Sequence, residues 1–387
     1  MKPADIAQSL RAVACVVGAR PNYMKMAPIV RALKSHGIPV LLVHTGQHYD
    51  AAMNDKLFSD LKMPPPDINL EVGSGTHAVQ TAQIMLRFES VVDAHKPSCV
   101  LVVGDVNSTL ACSLVASKKN VPVVHVEAGL RSYDRQMPEE INRVLTDQLA
   151  DLLYTTERTA HANLAREGID TSRIEFVGNV MIDSLIANRE RCVSAEQTLQ
   201  RSQKDARALQ DANGYGLVTM HRPSNVDRAE VLGPLLSILQ EVSVKLPLIF
   251  ALHPRTSGNI ERFGLGDLIN GDRIIVLPPQ GYLETLGLMA NAAMVLTDSG
   301  GIQEETTALG VPCITLRENT ERPITVEQGT NVITGRDRGA ILRAVDENLS
   351  GRGKRGRVPE YWDGHAAERL VSHLGDWLLR RHACAGA

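Results

Sequence analysis

The chain has 387 residues, which is enough for two or three domains with sizeable hydrophobic cores. Hydrophobic residues make up 43% and charged residues 22%, which is ordinary for a soluble globular protein and excludes a mainly disordered chain. Lys and Arg number 41 against 44 Asp and Glu, and the resulting net charge of −3 argues against a protein that coats nucleic acid or an anionic membrane.

The sequence contains few features typical of membrane insertion, secretion or redox chemistry. No apolar stretch approaches the ~20 residues of a membrane span, and the first eleven residues lack the apolar core of a signal peptide. The six cysteines form no C-x-x-C pair, and most of them lie in apolar runs. We therefore expect a cytoplasmic, reduced protein in which most cysteines are core residues, with no membrane and no nucleic-acid partner.

Short apolar runs alternate with segments of helical length along the whole chain. The first series of predicted strands is 12–17, 40–44, 99–103, 121–126, 152–155 and 174–177. The second series is 216–220, 248–252, 273–277, 294–297 and 312–316. Helices are predicted over 24–35, 77–95, 108–118 and 302–309. This alternation, with strands rich in Val, Ile and Leu, is typical of parallel sheets covered by helices.

Two such series predict an α/β protein with two doubly wound, Rossmann-like domains that face a cleft. We place the first domain at 1–179, the second at 180–363, and a terminal amphipathic helix at 364–387 that packs back on the first domain. The charged stretch 189–213 is predicted to form a surface helix pair and linker. The basic, glycine-rich stretch 351–359 is interpreted as a solvated loop.

Polar and charged residues follow the predicted strands directly. Because ligands of open parallel sheets bind beyond the carboxyl ends of the strands, these residues mark the expected site. Ser299, Gly300 and Gly301 lie between a strand and a helix, where free backbone N–H groups favour a phosphate. The cationic candidates at other strand ends are Arg20, Lys25, His221 and Arg222. Together they predict a diphosphate site.

Two rival ligands are less well supported. The G-x-G-x-x-A run at 73–78 follows a poor strand and lacks the acidic residue expected ~20 residues later, so nicotinamide binding is not predicted. A metal site could use His44 with His48, or His125 with Glu127, but the first pair spans a loop and the second lacks the P-C-x-x-C partner of deaminases. For His125, a hydrogen-bonded core position is the commoner role. We expect neither a metal nor another cofactor.

Carboxylate side chains are the remaining candidates for acid–base catalysis. Asp105 and Glu127 close two neighbouring predicted strands, where crowding and desolvation favour acid–base catalysis. Glu139 and Glu140 follow Pro138, and helix capping is an equally good explanation for Glu140. Asp298 and Glu304 are open to the same helix-terminus interpretation.

Six motifs begin at Gly18, Gly104, His125, Pro138, His221 and Thr297, and a further one extends from Thr320 to Pro323. In this order they resemble the motifs of the non-hydrolysing UDP-N-acetylglucosamine 2-epimerase family. The resemblance extends from about Val13 to Asn331. Each is weak alone, but their order at independently predicted strand ends is specific.

The resemblance implies the two-domain glycosyltransferase-B fold with its active site in the interdomain cleft. It also implies inversion at C2 of a UDP-linked 2-acetamido sugar, and we expect a homodimer. The implied catalytic residues are Asp105, Glu127, Glu139 and His221. The implied substrate-binding residues are Arg20, Lys25, Arg143, Arg222, His253, Ser299, Gly300, Gly301 and Glu305, with Glu305 on the ribose and Ser299 with its glycines on the diphosphate.

Two departures leave the substrate open. The chain reads Gln47-His48-Tyr49-Asp50 where well-known members have Gln-His-Arg, which puts activation by a second substrate molecule in doubt. The Tyr-Asp version also occurs in relatives that act on other UDP-2-acetamido sugars, including diacetamido uronic acids. The segment 131–138 lacks the tryptophan found before Pro-Glu-Glu in some members.

Three further functions stay open on this sequence: a hydrolysing 2-epimerase, a glycosyltransferase of the same fold and an inactive nucleotide-sugar sensor.

Overall fold

The computed structural model describes residues 11–46 and 51–385, without the side chains of residues 51–55, 208, 384 and 385. The chain forms two compact units. Unit 1 comprises Met1–Ala187 and Glu360–Ala387, and unit 2 comprises Asn188–Pro359.

Unit 1 contains a parallel sheet that has seven strands within the described part of the chain. The strands are β1 Val13–Val17, β2 Val40–His44, β3 Ile68–Asn69, β4 Cys99–Val103, β5 Val123–Val126, β6 Leu152–Thr155 and β7 Ile174–Phe176. Their spatial order is β3-β2-β1-β4-β5-β6-β7. The order therefore reverses between β1 and β4, whose registered pairs begin at Val13 and Cys99.

Helices connect these strands. They are α1 Arg20–Ser35, α2 Ala51–Asp60, α3 His77–His95, α4 Asn107–Lys118, α5 Pro138–Leu149, α6 Arg158–Arg166 and α7 Val180–Asn188, and the returning chain adds α16 Ala366–Ala385. Every residue of β1, β4, β5 and β6 is buried. The apolar composition of these strands is thus explained by helices on both faces of the sheet.

Unit 2 repeats the design with six strands in the residues described. They are β8 Gly216–Thr219, β9 Leu248–Ala251, β10 Ile274–Leu277, β11 Met294–Thr297, β12 Cys313–Thr315 and β13 Asn331–Ile333, in the order β10-β9-β8-β11-β12-β13. Its helices are α8 Ala195–Arg201, α9 Pro223–Val226, α10 Ala229–Lys245, α11 Pro254–Arg262, α12 Tyr282–Ala290, α13 Gly300–Leu309, α14 Pro323–Glu327 and α15 Arg338–Leu349. The predicted α/β class with two parallel sheets is confirmed.

Several predicted elements differ in detail. Helix α1 begins at Arg20, four residues before the predicted start, because Pro21 suits a first turn. The short strands β3 and β13 were not predicted. The stretch 189–213 contains one α-helix, α8, flanked by 3₁₀ turns at Arg189–Arg191 and Arg207–Gln210, so the predicted helix pair is wrong.

Hydrogen bonds join helix α7 to the returning helix α16 and to helix α1. The Asp183 carboxylate accepts from the N–H groups of Ala366 and Ala367, at 3.1 and 2.7 Å, and so caps α16. The Ser184 hydroxyl donates to the carbonyl of Met24 in α1. The end of unit 1 at Ala187 therefore lies beyond residue 179, where the sequence placed the domain boundary.

Four of the five cysteines whose side chains the structure describes are small core residues, and the fifth, Cys192, is half-buried. Cys15, Cys99, Cys112 and Cys313 are buried. Burial raises the pKa of the Cys99 thiol to about 12 and that of Cys313 to about 11. None of the described helices is long and apolar enough to cross a bilayer.

Candidate active site

Each unit has one point where strand order reverses, and such points are where ligands bind in open α/β sheets. In unit 1 the point lies between β1 and β4, and in unit 2 between β8 and β11. Arg20 and Asp105 follow the two strands of unit 1. His221, Arg222, Ser299 and the glycines that follow it come after the two strands of unit 2.

Asn22 was not among the predicted site residues, and it connects the two strand ends of unit 1. Its Oδ1 accepts from the N–H groups of Gly18 and Ala19, at 3.2 and 3.0 Å, and its Nδ2 donates to the carbonyl of Val103 at 2.9 Å. Gly18 is required at this position because a Cβ there would lie 2.1 Å from Ser108 Oγ. These contacts fix the turn that presents Arg20 as the first residue of α1.

Glu127 and Lys25 form a buried ion pair beyond β5. Glu127 Oε2 lies 2.5 Å from Lys25 Nζ, and both side chains are almost completely buried. The Glu127 backbone is left-handed, with φ +73°, and its N–H and that of Ala128 both donate to the carbonyl of Tyr154. A non-glycine residue in this conformation is strained, and such strain concentrates at functional sites.

A buried network under this turn holds the strand ends in place. His125 Nδ1 lies 2.7 Å from Asp147 Oδ1, and its Nε2 lies 2.8 Å from the carbonyl oxygen of Gly104. Asp147 Oδ2 also accepts from the N–H of Gly129 at 3.1 Å and lies 2.7 Å from Arg131 Nη2. His125 is therefore a hydrogen-bonded core histidine that aligns β5 with the end of β4.

Arg143 joins two carboxylates. Its Nη2 lies 2.5 Å from Asp105 Oδ2, and its Nη1 lies 2.5 Å from Glu140 Oε2. Asn142, the preceding residue of α5, donates from Nδ2 to the Asp105 carbonyl at 2.9 Å. The start of α5 thus holds both the backbone and the side chain of Asp105.

Glu140 has a larger role than helix capping. Besides Arg143, its carboxylate accepts from the N–H and hydroxyl of Ser132 and from the N–H of Tyr133, at 2.8 to 3.0 Å. It is 3% exposed and fixes the loop that leads from β5 to α5. Glu139, next to it at the start of α5, is half-buried.

In unit 2, Asp298 organises the chain after β8. Its buried carboxylate accepts from the N–H groups of His221 and Arg222 and from Asn225 Nδ2, at 3.0 to 3.1 Å. His221 Nδ1 lies 3.2 Å from Asp298 Oδ1. The helix-terminus interpretation of Asp298 is therefore wrong, because the carboxylate binds the neighbouring strand end.

Helix α13 begins at Gly300, with Ser299 as its N-cap. First-turn N–H groups of a helix have no intrahelical acceptor, so those of Gly300 and Gly301 suit an anion. A Cβ on Gly300 would lie 2.6 Å from Glu321 Oε1. Arg222 Nη2 lies 3.6 Å from the same Glu321 oxygen, which brings this cation to the start of α13.

Glu304 and Glu305, on the same helix, have different partners. Glu304 Oε1 pairs with Arg322 Nε at 2.9 Å, so the helix-terminus interpretation of Glu304 is also wrong. Glu305 Oε1 accepts from the Tyr282 hydroxyl at 3.0 Å. Burial and the nearby Glu305 carboxylate raise the pKa of Tyr282, which keeps its hydroxyl a donor.

His253 caps α11 with its ring. Its Nδ1 accepts from the N–H of Arg255 at 3.2 Å, and the ring centroids of His253 and His221 are 5.4 Å apart. The polar ends of β8 and β9 therefore bring two imidazoles together.

The residues of the rival ligand motifs are described only in part. His48 and the Gln47–Asp50 departure fall outside the described residues, and in the described part no group of three or more His, Cys, Asp or Glu side chains is arranged to hold a metal ion. Gly73 and Gly75 lie between β3 and α3, which is capped by Thr76.

Comparison with known proteins agrees with the motifs. Residues 31–375 match the family model described as UDP-N-acetylglucosamine 2-epimerase. A UDP-N-acetylglucosamine 2-epimerase of Methanocaldococcus jannaschii is 42% identical over 93% of this chain and 97% of that protein. A UDP-2,3-diacetamido-2,3-dideoxy-D-glucuronate 2-epimerase of Pseudomonas aeruginosa is 39% identical over 93% of this chain and 98% of that protein.

A solved structure of the same M. jannaschii enzyme is also similar to this chain. The crystal structure of the M. jannaschii UDP-GlcNAc 2-epimerase in complex with UDP-GlcNAc and UDP matches this chain with a TM-score of 0.82 and 41% identity. The match covers 94% of this chain and 99% of that one. Sequence motifs, fold and near-complete coverage thus agree that this chain belongs to the UDP-N-acetylglucosamine 2-epimerase family.

Proposed function

We propose that the protein inverts C2 of a UDP-2-acetamido sugar, with UDP-N-acetylglucosamine and UDP-N-acetylmannosamine as the first substrate pair to test. The observation that carries the proposal is the pair of carboxylates, Asp105 and Glu127, at the ends of the adjacent strands β4 and β5. The names of the M. jannaschii and P. aeruginosa relatives support the reaction type and leave two sugar classes to compare.

The reaction has to overcome a weakly acidic C2–H bond, because no carbonyl group is attached to that carbon. We propose elimination: a base removes the C2 proton, the electron pair forms a C1–C2 double bond, and the C1–O bond breaks to release UDP. The intermediate is 2-acetamidoglucal. A proton then adds to the opposite face of C2, and a UDP oxygen bonds to C1 again. This route is non-hydrolysing and requires that UDP be held throughout.

We assign UDP binding to unit 2. The start of α13 supports this, because Gly300 and Gly301 offer N–H groups and the positive end of the helix dipole to a diphosphate, and Ser299 adds a hydroxyl, since its own N–H donates to Thr297 Oγ1. Arg222 adds a guanidinium. Glu305, oriented by Tyr282, has a carboxylate suited to the ribose hydroxyls.

We assign proton transfer to unit 1, with Asp105, Glu127 and Glu139 as the acids and bases. Lys25 and Arg143 support this assignment because each forms an ion pair with one of these carboxylates and carries a charge suited to an anionic substrate. Arg20 has the same chemistry at the start of α1. His221 and His253 of unit 2 complete the set of groups that can exchange protons or hydrogen bonds with substrate.

The first test is incubation with UDP-N-acetylglucosamine in D₂O, without added nicotinamide. We expect deuterium at C2 of both epimers, because the proton removed exchanges with solvent before protonation of the opposite face. NMR of C2 and of the anomeric phosphate measures both exchange and retention of UDP. Product without deuterium would contradict elimination, and free N-acetylmannosamine with stoichiometric UDP would favour a hydrolysing 2-epimerase.

To identify the physiological sugar, the two candidate substrates have to be compared directly. The same assay with the UDP-linked 2,3-diacetamido uronic acid gives a second value of kcat/KM. A higher value for the uronic acid would move the assignment to the class named for the P. aeruginosa relative.

We also infer a homodimer, formed through α3 and α5. Both helices pack against α4 and expose large apolar side chains, namely Val79, Leu86, Ile141 and Leu145, which are 43–64% exposed. They flank a cavity of about 390 Å³ lined by His77, Ala78, Thr81, Ala82, Met85, Asn107, Pro138, Ile141 and Asn142. None of these lining residues is Asp, Glu, Lys or Arg. Two copies of this face can therefore meet across a two-fold axis without like-charge repulsion.

Leu86→Glu is expected to convert the dimer to a monomer, because it places two identical charges across the two-fold contact. Sedimentation equilibrium measures the change. Val244→Glu on α10 is the matched control, since Val244 is 75% exposed but lies in unit 2. The inference is wrong if the wild-type protein sediments as a monomer or if both variants remain dimers.

A further inference from the structure

Asp298 is a buried carboxylate of unit 2 to which the proposed function gives no role. It follows β11, is 0% exposed, and reaches across the point where strand order reverses to the residues after β8. Its contacts are the N–H groups of His221 and Arg222, Asn225 Nδ2, and His221 Nδ1. One side chain thus accepts hydrogen bonds from the backbone of His221 and lies within ion-pair distance of its ring.

The two carboxylate oxygens have different surroundings. Oδ2 accepts from the N–H groups of His221 and Arg222 and from Asn225 Nδ2. Oδ1 accepts from the N–H of His221 at 3.1 Å and lies 3.2 Å from His221 Nδ1. An ionised carboxylate has no hydrogen to donate, so the contact at Nδ1 is favourable only when that nitrogen carries the proton.

We propose that Asp298 is the positioning residue that fixes His221 in the Nδ1-protonated tautomer, so that Nε2 is the ring atom presented for exchange of a proton or hydrogen bond with the UDP-sugar. This inference rests on the proposed function for its catalytic consequence. A buried carboxylate on one ring nitrogen also offsets the positive charge that forms when the other takes a proton.

His253 provides an internal contrast. Its Nδ1 accepts from the N–H of Arg255, so that nitrogen carries a lone pair and the neutral ring has its proton on Nε2. The two imidazoles, whose centroids are 5.4 Å apart, are thus held in opposite tautomers. His253 presents a donor, which suits an anionic phosphate oxygen without a change of charge, whereas His221 presents an acceptor.

Asp298→Asn separates the tautomer role from simple capping of the backbone. The amide oxygen is expected in the place of Oδ2, which faces several donors, and this retains the contacts to Arg222 N and Asn225 Nδ2. The NH₂ group then occupies the place of Oδ1 and faces His221 Nδ1, while the N–H of His221 keeps only its contact with the oxygen in the place of Oδ2. Since that group donates, His221 must accept through Nδ1 and move its proton to Nε2.

The direct readout is the tautomer itself. Long-range ¹⁵N–¹H correlation on protein labelled at its 12 histidines distinguishes the two protonation patterns, with His221→Gln and His253→Gln spectra used for assignment. We expect Nδ1–H for His221 and Nε2–H for His253 in the wild-type protein, and Nε2–H for His221 in Asp298→Asn. An Nε2–H tautomer of His221 in the wild-type protein would overturn the proposal, even if the variant failed to fold.

Kinetics supply the second readout. Asp298→Asn is expected to lower kcat by about 10²–10⁴-fold, with the Kd for UDP within a few-fold of wild type. Combined with His221→Gln, it is expected to cause no further loss, because Asp298 acts through that ring. Additive losses would overturn the positioning role. A wild-type protein with the expected tautomers but no C2 exchange would instead refute the proposed function and leave the tautomer assignment standing.

Discussion

Glu127→Gln is expected to lower turnover of UDP-N-acetylglucosamine by about 10²–10⁴-fold, because the amide cannot take up or release a proton at C2. The Kd for UDP should stay within a few-fold of wild type, since the UDP contacts are assigned to unit 2. Deuterium incorporation at C2 measures the chemical step, and calorimetric titration with UDP measures binding.

The buried ion pair with Lys25 provides the control. Glu127→Gln also leaves an ammonium buried without its 2.5 Å partner, which by itself disturbs the site. The double variant Lys25→Met/Glu127→Gln removes both charges. If the loss of turnover came from the uncompensated ammonium, the double variant would regain activity, and this result would contradict the acid–base assignment. We expect it to remain as slow as Glu127→Gln or slower.

Asp147→Ala is expected to reduce the free energy of unfolding of unit 1 by about 3–5 kcal/mol, which is typical when one partner is removed from a buried ion pair. The substitution deprives His125 Nδ1, the N–H of Gly129 and Arg131 Nη2 of their common acceptor in a fully buried position. Asp147→Asn retains one acceptor oxygen and should cost less. Activity should fall as well, because the same network supports the Glu127 turn.

Glu167→Ala is the matched control for Asp147→Ala. Glu167 binds the same guanidinium, with Oε2 at 2.5 Å from Arg131 Nη2, but its side chain is 28% exposed. We expect a cost of about 1 kcal/mol or less, as for solvated pairs. Denaturant titration followed by tryptophan fluorescence reports on unit 1, because both tryptophans, Trp362 and Trp377, lie in it. Equal losses for the two variants would refute the role given to burial.

Strand positions were predictable from the sequence because burial on both faces demands continuous apolar runs. The predicted strands at 40–44, 99–103, 152–155 and 294–297 coincide with β2, β4, β6 and β11. Helices at 77–95 and 108–118 were found to within one residue. Strands β3 and β13 have two and three residues, and each includes an asparagine, so their pattern is too short to detect.

The site was predictable only in part. The residues that follow the strands could be listed, since polar residues after an apolar strand are a local signal. Asn22, Asp147 and Glu140 were missed or undervalued as site residues, because their partners come from other elements. Asn22 binds Val103, 81 positions away, and nothing in the intervening sequence indicates that contact.

The sequence by itself determined the α/β class, most of the strands, the family motifs and the polar residues that the strand ends present. Tertiary structure alone decided which strand ends are neighbours, which carboxylates have a cationic partner, and which atoms of Asp298 meet His221. The physical reason is that burial and helix or strand periodicity act within a few residues along the chain. Hydrogen bonds such as that from the His221 N–H to the Asp298 carboxylate, 77 positions apart, exist only once β8 and β11 are paired in register.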